Sequence, residues 1–106
     1  MRIAEVTEEY ILFDNGDRIT YDHEQDCCES NYADFEQLDD IARTTDFDTP
    51  IEFEDAEEYG FRFGNNDGRM FFVPCYSHQN WYYSNDVDIY YNGELVLNTL
   101  GEEIIL

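Results

Sequence analysis

Regularly spaced carboxylates are the groups in this sequence whose type and spacing could do chemistry. Asp22, Glu24 and Asp26 stand two residues apart, as do Glu52 and Glu54. In an extended strand such residues share one face and lie about 6.5–7 Å apart. A row of anions at this spacing resembles one strand of a nucleic-acid backbone, which presents a phosphate every ~3.4 Å. Arginine and lysine side chains that bind phosphate would accept carboxylates as well.

A second group of acids falls in the segment 34–43. Glu36, Asp39 and Asp40 stand at i, i+3 and i+4, which would place them on one face of a helix. With the acids of the strands and of the segment 52–58, they form a predicted partner-binding set. Its members are Asp22, Glu24, Asp26, Glu29, Glu36, Asp39, Asp40, Glu52, Glu54, Asp55, Glu57 and Glu58.

A zinc site is the alternative chemistry for the residues near the acids. His23 and Cys27 have the spacing H-x3-C, and Cys75 and His78 have the spacing C-x2-H. Together they could supply four nitrogen and sulfur ligands to a tetrahedral ion. Two pairs of common residues match by chance often, so we favour a structural role in which one of Cys27 and Cys28 is a small buried hydrophobe. No metal or other cofactor is predicted.

Enzymatic chemistry is not predicted either. A cysteine nucleophile needs a base within hydrogen-bond distance, and the many acids would raise the pKa of a thiol. Carboxylate pairs are so numerous that no single pair stands out for acid–base catalysis. No D-x-[DN]-x-[DN]-G calcium loop occurs. We therefore expect a binding protein without catalytic residues.

The charge of the chain narrows the class of partner. Twenty-six acidic residues against five arginines give a formal net charge of −21. Residues 1–58 hold twenty acids and three arginines, net −17, whereas residues 59–106 hold six acids and two arginines, net −4. This field repels nucleic acid and anionic membranes and attracts cationic surfaces over a Debye length of about 8 Å. The expected partner is a basic protein surface.

The elements that position these acids are mostly strands. Short apolar or alternating runs predict strands at 3–6, 10–14, 18–24, 51–54, 61–63, 69–76, 87–91 and 94–97. Asn15-Gly16 and Asn92-Gly93 tolerate positive φ at both central positions of a tight hairpin, and residues 64–68 indicate another hairpin loop.

One segment has helical rather than strand periodicity. Phe35, Leu38, Ile41 and Ala42 form an apolar stripe that predicts a short acidic helix over about residues 34–43, with Asp34 as its cap. We therefore predict one compact domain over residues 1–106, of the α+β class. It consists of a mainly antiparallel sheet of about six or seven strands and this single helix.

A family resemblance enters at residues 23–29, with the sequence H-E-Q-D-C-C-E. This motif, with Tyr32-Ala33-Asp34 and the acidic segment Glu54–Glu58, resembles an uncharacterised family of small proteins that are common in bacteriophages and related mobile elements. The likeness covers roughly residues 10–60. It implies a phage setting and no established activity. Asn31-Tyr32 replaces the family's usual Val-Tyr, and this chain is more acidic than expected of the family.

These observations favour a nucleic-acid mimic that occupies the basic groove of a host defence protein, such as a CRISPR effector or a restriction nuclease. The cysteine count of three and the lack of a disulfide pattern favour the reducing cytoplasm of an infected bacterial or archaeal host. The alternative is a zinc-binding or salt-adapted acidic domain without a mimic role. The aromatic stretch Tyr76–Tyr83 belongs to the core, or else forms a homodimer or partner surface.

Overall fold

A computed structural model describes residues 1–22, 30–66, 68–79 and 85–105 of the chain. In these residues, short runs of β-branched and aromatic side chains alternate with polar ones and form ten strands. They are β1 (Ile3–Val6), β2 (Tyr10–Phe13), β3 (Arg18–Asp22), β4 (Ser30–Ala33), β5 (Glu52–Ala56), β6 (Gly60–Gly64), β7 (Met70–Gln79), β8 (Asp86–Tyr91), β9 (Glu94–Leu100) and β10 (Glu102–Ile105).

The strands form two five-stranded sheets. The first has the order β1-β2-β3-β8-β9, and every neighbouring pair in it is antiparallel. The second has the order β10-β7-β6-β5, and β4 also pairs with β7. Only the β10–β7 pair is parallel among the described strands. Because β4 and β10 pair with the same part of β7, they lie at its opposite edges.

Phenylalanine rings fill the core. The Phe63 ring centroid lies 5.6 Å from that of Phe47 and 6.4 Å from that of Phe71, and the Phe13 ring meets Phe47 edge-on at 5.6 Å. All four side chains are buried. Such pairs contribute attraction beyond their buried area, so the aromatic content holds the two sheets as a rigid support for the surface acids.

The prediction of an α+β fold is wrong, because the described part of the chain contains no α-helix and the fold is all-β. The segment 34–43 forms two 3₁₀ turns, Phe35–Gln37 and Asp40–Thr44. Leu38 (φ −59°, ψ 136°) and Asp39 (φ −57°, ψ 133°) between them are extended.

Local hydrogen bonding and burial explain the interruption. Asp39 accepts a hydrogen bond from the Ile41 backbone N–H at 3.0 Å, and a cap of this kind competes with a helix interior. The extended backbone still buries Phe35, Leu38 and Ala42 but leaves Ile41 47% exposed. The apolar spacing therefore marks residues that are mostly buried, but two 3₁₀ turns bury them and not one α-helix.

The predicted strands and hairpins are present, but the ends of several strands and the conformation of one turn differ from the prediction. The described residues form ten strands rather than the predicted six or seven, because all eight predicted segments contain strands and β4 and β10 were not predicted. Asn92 and Gly93 both have positive φ (52° and 84°), as expected for a two-residue hairpin. At the first hairpin only Gly16 has positive φ (94°), and the Phe13 N–H bonds the Asp17 carbonyl at 2.8 Å. That loop is thus one residue longer, with a bulge.

The molecule is elongated, with principal extents of 41 × 24 × 22 Å. The described part of the chain has no helix long and apolar enough to cross a membrane.

Candidate acidic interface

The β5–β6 hairpin gathers most of the predicted acids of the segment 52–58. Its turn borders an open cleft of about 310 Å³. The lining residues are Glu54, Asp55, Glu57, Glu58 and Arg62. The structure therefore brings together four members of the predicted partner-binding set.

Strand register sets which acids point outward. Glu52 and Glu54 alternate with Phe53 along β5, and Glu54 stands opposite Arg62 in β6. Arg62 Nη1 lies 3.5 Å from Glu54 Oε1. Because the Glu54 side chain is exposed and that of Arg62 is partly exposed, this ion pair is a weak contributor to stability. Glu52 and Glu54 share a face, as the alternation predicted.

Asp55 is held from the other sheet. The Thr99 hydroxyl lies 2.5 Å from Asp55 Oδ1 and 2.7 Å from the Gly60 carbonyl oxygen, and Thr99 itself is buried. Gly60 fits because an added Cβ would lie 2.3 Å from the Val73 carbonyl oxygen. The two strands that flank the turn are therefore fixed against the first sheet and against β7.

The acids of the segment 34–43 are not on one helical face. Asp39 caps the second 3₁₀ turn through the Ile41 N–H, and Asp40 lies 3.9 Å from Arg43 Nε. Glu36 instead lines a separate cleft of about 390 Å³ beside Asp34. The prediction that Glu36, Asp39 and Asp40 share a face is wrong, because the extended Leu38 and Asp39 backbone separates the two turns.

Asp22 is the last residue of β3 and stands directly opposite Asp88 of β8. Asp86 lies on the same face of β8, two residues before Asp88, and both were missing from the predicted set. The Asn98 amide donates to Asp86 Oδ2 at 3.1 Å and to Asp88 Oδ1 at 2.6 Å. The sequence contains a D-x-D pattern at residues 86–88, where the predicted strand 87–91 begins. The pairing of Asp88 with Asp22, however, is set by the register between β3 and β8.

Several predicted residues lie outside the part of the chain that the structure describes. They are Glu24, Asp26 and Glu29 of the binding set and His23 and Cys27 of the zinc set.

The other half of the zinc set is described. Cys75 and His78 are three residues apart on the extended strand β7, so their side chains point to opposite faces. Cys75 is fully buried, and burial raises the pKa of its thiol to about 12. His78 Nε2 instead lies 3.2 Å from the Tyr32 hydroxyl. This placement does not let Cys75 and His78 share an ion.

The predicted aromatic surface is described only in part. Tyr76 of β7 packs against Tyr32, with ring centroids 5.7 Å apart, and is half-buried. Residues 80–84, which include Trp81, are not among the described residues. Tyr76 therefore contributes to packing between strands β4 and β7.

The fold and surface together define an all-β domain of two sheets with acidic hairpins. The chain belongs to the family described as Domain of unknown function (DUF7448), whose model matches residues 1–89. This agrees with the prediction of an uncharacterised family. No curated protein and no solved structure matches the chain. The matched range contains the whole predicted binding set and ends within β8.

Proposed function

We propose that this protein is a nucleic-acid mimic that occupies the basic nucleic-acid-binding groove of another protein. The observation that carries the proposal is its charge per unit length. A net charge of −21 along 41 Å is about one charge per 2 Å, and duplex DNA carries about one per 1.7 Å. The long axis corresponds to about one turn of B-DNA, or ~12 base pairs.

The fixed positions of the acids support the same proposal. A groove that binds DNA has arginine and lysine side chains arranged to meet phosphates. It binds a ligand more tightly when the anions of that ligand are already held in place, because less conformational entropy is then lost. Glu52, Glu54 and Asp55 of the β5–β6 hairpin and the Asp22–Asp88 pair are mounted on paired strands. Their backbone is already ordered before binding, so only side-chain freedom remains to be lost.

The proposed partner is a host defence protein of the restriction-nuclease or CRISPR-effector class, in the cytoplasm of an infected bacterial or archaeal cell. This part of the proposal follows from the resemblance of the H-E-Q-D-C-C-E segment to phage proteins. No catalytic role and no cofactor are proposed. The partner's groove is expected to be rich in arginine and lysine.

Competition with DNA tests the proposal. The immobilised protein is incubated with nuclease-treated bacterial lysate, and bound proteins are identified after a salt step and assayed for DNA binding. The captured protein should be released by a 12-base-pair duplex. In turn, this protein should displace the duplex at a concentration at least about tenfold below that of a disordered poly-glutamate of equal charge. Equal potency of the two polyanions would reject an ordered mimic and leave only nonspecific charge.

A further inference from the structure

A second cleft, on the side of β3 and β4, combines aromatic rings with acids. It has a volume of about 390 Å³, within the range of small-ligand pockets of about 300–1,000 Å³. One wall comes from the β1–β2 connection, and the others come from β3, β4 and the first 3₁₀ turn. The lining residues are Glu8, Tyr21, Tyr32, Ala33, Asp34 and Glu36.

The two aromatic walls are held by packing. The Tyr21 ring centroid lies 5.8 Å from that of buried Phe35. The Tyr32 ring stacks on His78 at a centroid distance of 5.7 Å and lies at the same distance from Tyr76. Both tyrosines are half-buried. The rings are therefore preorganised rather than free to collapse into the cleft.

The lining residues that the structure describes supply three carboxylates and no arginine. Asp34 Oδ2 accepts a hydrogen bond from Gln37 Nε2 at 2.8 Å, which fixes its position, while Glu8 and Glu36 are exposed. By contrast, the adjoining cleft contains Arg18 and the hairpin cleft contains Arg62. Among the described residues, the aromatic cleft thus has no internal cation to balance its acids.

The tyrosine hydroxyls respond to this environment. Burial raises the pKa of Tyr21, and the charges of Glu9 and Glu8 raise it further. Burial likewise raises the pKa of Tyr32, with a further contribution from Asp34. Both hydroxyls stay protonated at neutral pH, and the faces of the two rings are electron-rich surfaces that attract cations.

We propose that this cleft receives one arginine side chain of the partner, with its guanidinium against the faces of Tyr21 and Tyr32 and its N–H groups toward the carboxylates. Arginine fits better than lysine, because its planar guanidinium stacks on rings, donates in bidentate fashion to carboxylates and is less strongly hydrated. The inference rests on the proposed function, since it names the partner group that this part of the surface would bind.

The test uses the full chain and a small probe. N-acetyl-arginine methylamide is titrated into the isotope-labelled protein, and the tyrosine ring resonances are followed by NMR. The matched probes are the citrulline analogue, which is isosteric and uncharged, and the lysine analogue. We expect the arginine probe to shift the Tyr21 and Tyr32 resonances and to bind more tightly than both others.

Paired variants assign the binding to the cleft. Tyr32→Leu should weaken the arginine probe about fivefold, the ~1 kcal/mol of a partly desolvated cation–π contact. Tyr32→Phe keeps the ring and should bind as the parent does. Glu8→Gln with Glu36→Gln should weaken binding, whereas Glu94→Gln with Glu103→Gln removes equal charge at exposed residues elsewhere and should not. Thermal melts confirm that each variant is folded.

The outcomes separate this inference from the proposed function. Equal binding of the arginine and citrulline probes, or an equal loss in the two double variants, overturns the arginine cleft, even if the protein competes with DNA for its partner. Arginine binding that depends on Tyr32 and Glu8 supports the cleft. If that result accompanies a failure to compete with DNA, only the mimic proposal falls. Tighter binding of the lysine probe overturns the choice of arginine.

Discussion

The Tyr91 hydroxyl donates a hydrogen bond to the Asp17 carboxylate, although the two residues stand 74 positions apart in the sequence. Asp17 lies in the β2–β3 turn, and Tyr91 ends β8 opposite Ile19. Asn92 Nδ2 donates to the same carboxylate at 3.1 Å. These hydrogen bonds, the one from Tyr91 first, lower the pKa of Asp17. The carboxylate therefore joins two hairpin turns in its ionised form.

This pair predicts a pH-dependent stability. Because the folded pKa of Asp17 lies below its unfolded value of about 3.9, its contribution is present above about pH 4 and is lost as the pH falls through the folded pKa. Tyr91→Phe should lower Tm at pH 7 by about 4–8 °C, the effect of one hydrogen bond of ~1 kcal/mol in a small domain. Circular-dichroism melts between pH 7 and pH 2.5 should show this difference shrinking.

At alkaline pH the dependence of stability on pH has the opposite sign. Burial, followed by the hydrogen bond to Asp17, raises the pKa of Tyr91, so its contribution is complete below about pH 10 and is lost as the pH rises through the folded pKa. Tyr90→Phe, in the same strand, is the matched control and should leave the pH profile unchanged. A Tm difference for Tyr91→Phe that is constant from pH 2.5 to pH 7 would contradict the assignment.

The acid face of the first sheet gives a second prediction. Asn98→Asp replaces the amide that donates to Asp86 and Asp88 by a third like charge. Like charges facing each other on a sheet are destabilising, and we expect a loss of about 0.5–1 kcal/mol in 20 mM salt. In 1 M NaCl, where the Debye length is about 3 Å, the loss should shrink. Urea unfolding at the two salt concentrations measures the free energy of unfolding of the variant and of the parent.

Asn98→Ser separates charge from the lost amide. It replaces the amide, which donates to both carboxylates, by a hydroxyl with a single proton and adds no anion, so its destabilisation should depend little on salt. Equal salt dependence of the two variants would contradict the electrostatic explanation. The parent chain should also unfold cooperatively in 20 mM salt, whereas a salt-adapted protein would already be unfolded there.

Local patterns predicted the strands that alternate strongly. In β8, buried Val87 and Ile89 alternate with Asp86 and Asp88, and the same period marks β3. Asn92-Gly93 determined its hairpin through positive φ at both positions. In such segments the sequence period and the burial of one sheet face agree, so local evidence is sufficient.

Other features depend on contacts between distant residues. β4 and β10 are four residues each and pair only with β7 in the described part of the chain, so their signal lies in tertiary contacts. The apolar spacing in 34–43 matched a helix, yet capping by Asp39 and burial of Leu38 favoured two 3₁₀ turns. The Asp22–Asp88 pairing likewise needs the β3–β8 register.

A third prediction concerns the buried thiol. With a pKa of about 12, Cys75 should be almost entirely protonated at pH 8 as well as shielded from reagents. In a Cys27→Ser, Cys28→Ser background, an aromatic disulfide reagent at pH 8 should label Cys75 at least about 1,000-fold more slowly than in 6 M guanidinium, given an unperturbed pKa near 8.5. Labelling of the folded chain at the unfolded rate would refute its placement in the core.

The fourth prediction separates an ordered acid array from net charge alone. The triple variant Glu52→Gln, Glu57→Gln, Glu58→Gln changes three exposed residues of the β5–β6 hairpin and moves the net charge from −21 to −18. Its affinity for the captured DNA-binding protein should fall at least about tenfold. Each lost contact of phosphate type should also reduce the slope of log K against log salt by about 1.

The matched control is Glu94→Gln, Glu102→Gln, Glu103→Gln, which makes the same charge change at exposed residues of β9 and β10. Long-range attraction depends on net charge, so both triples should slow association with the partner similarly at low salt. Only the hairpin triple should speed dissociation, since its acids contact the groove. Identical dissociation rates for the two triples, measured by surface plasmon resonance, would place the β5–β6 hairpin outside the interface.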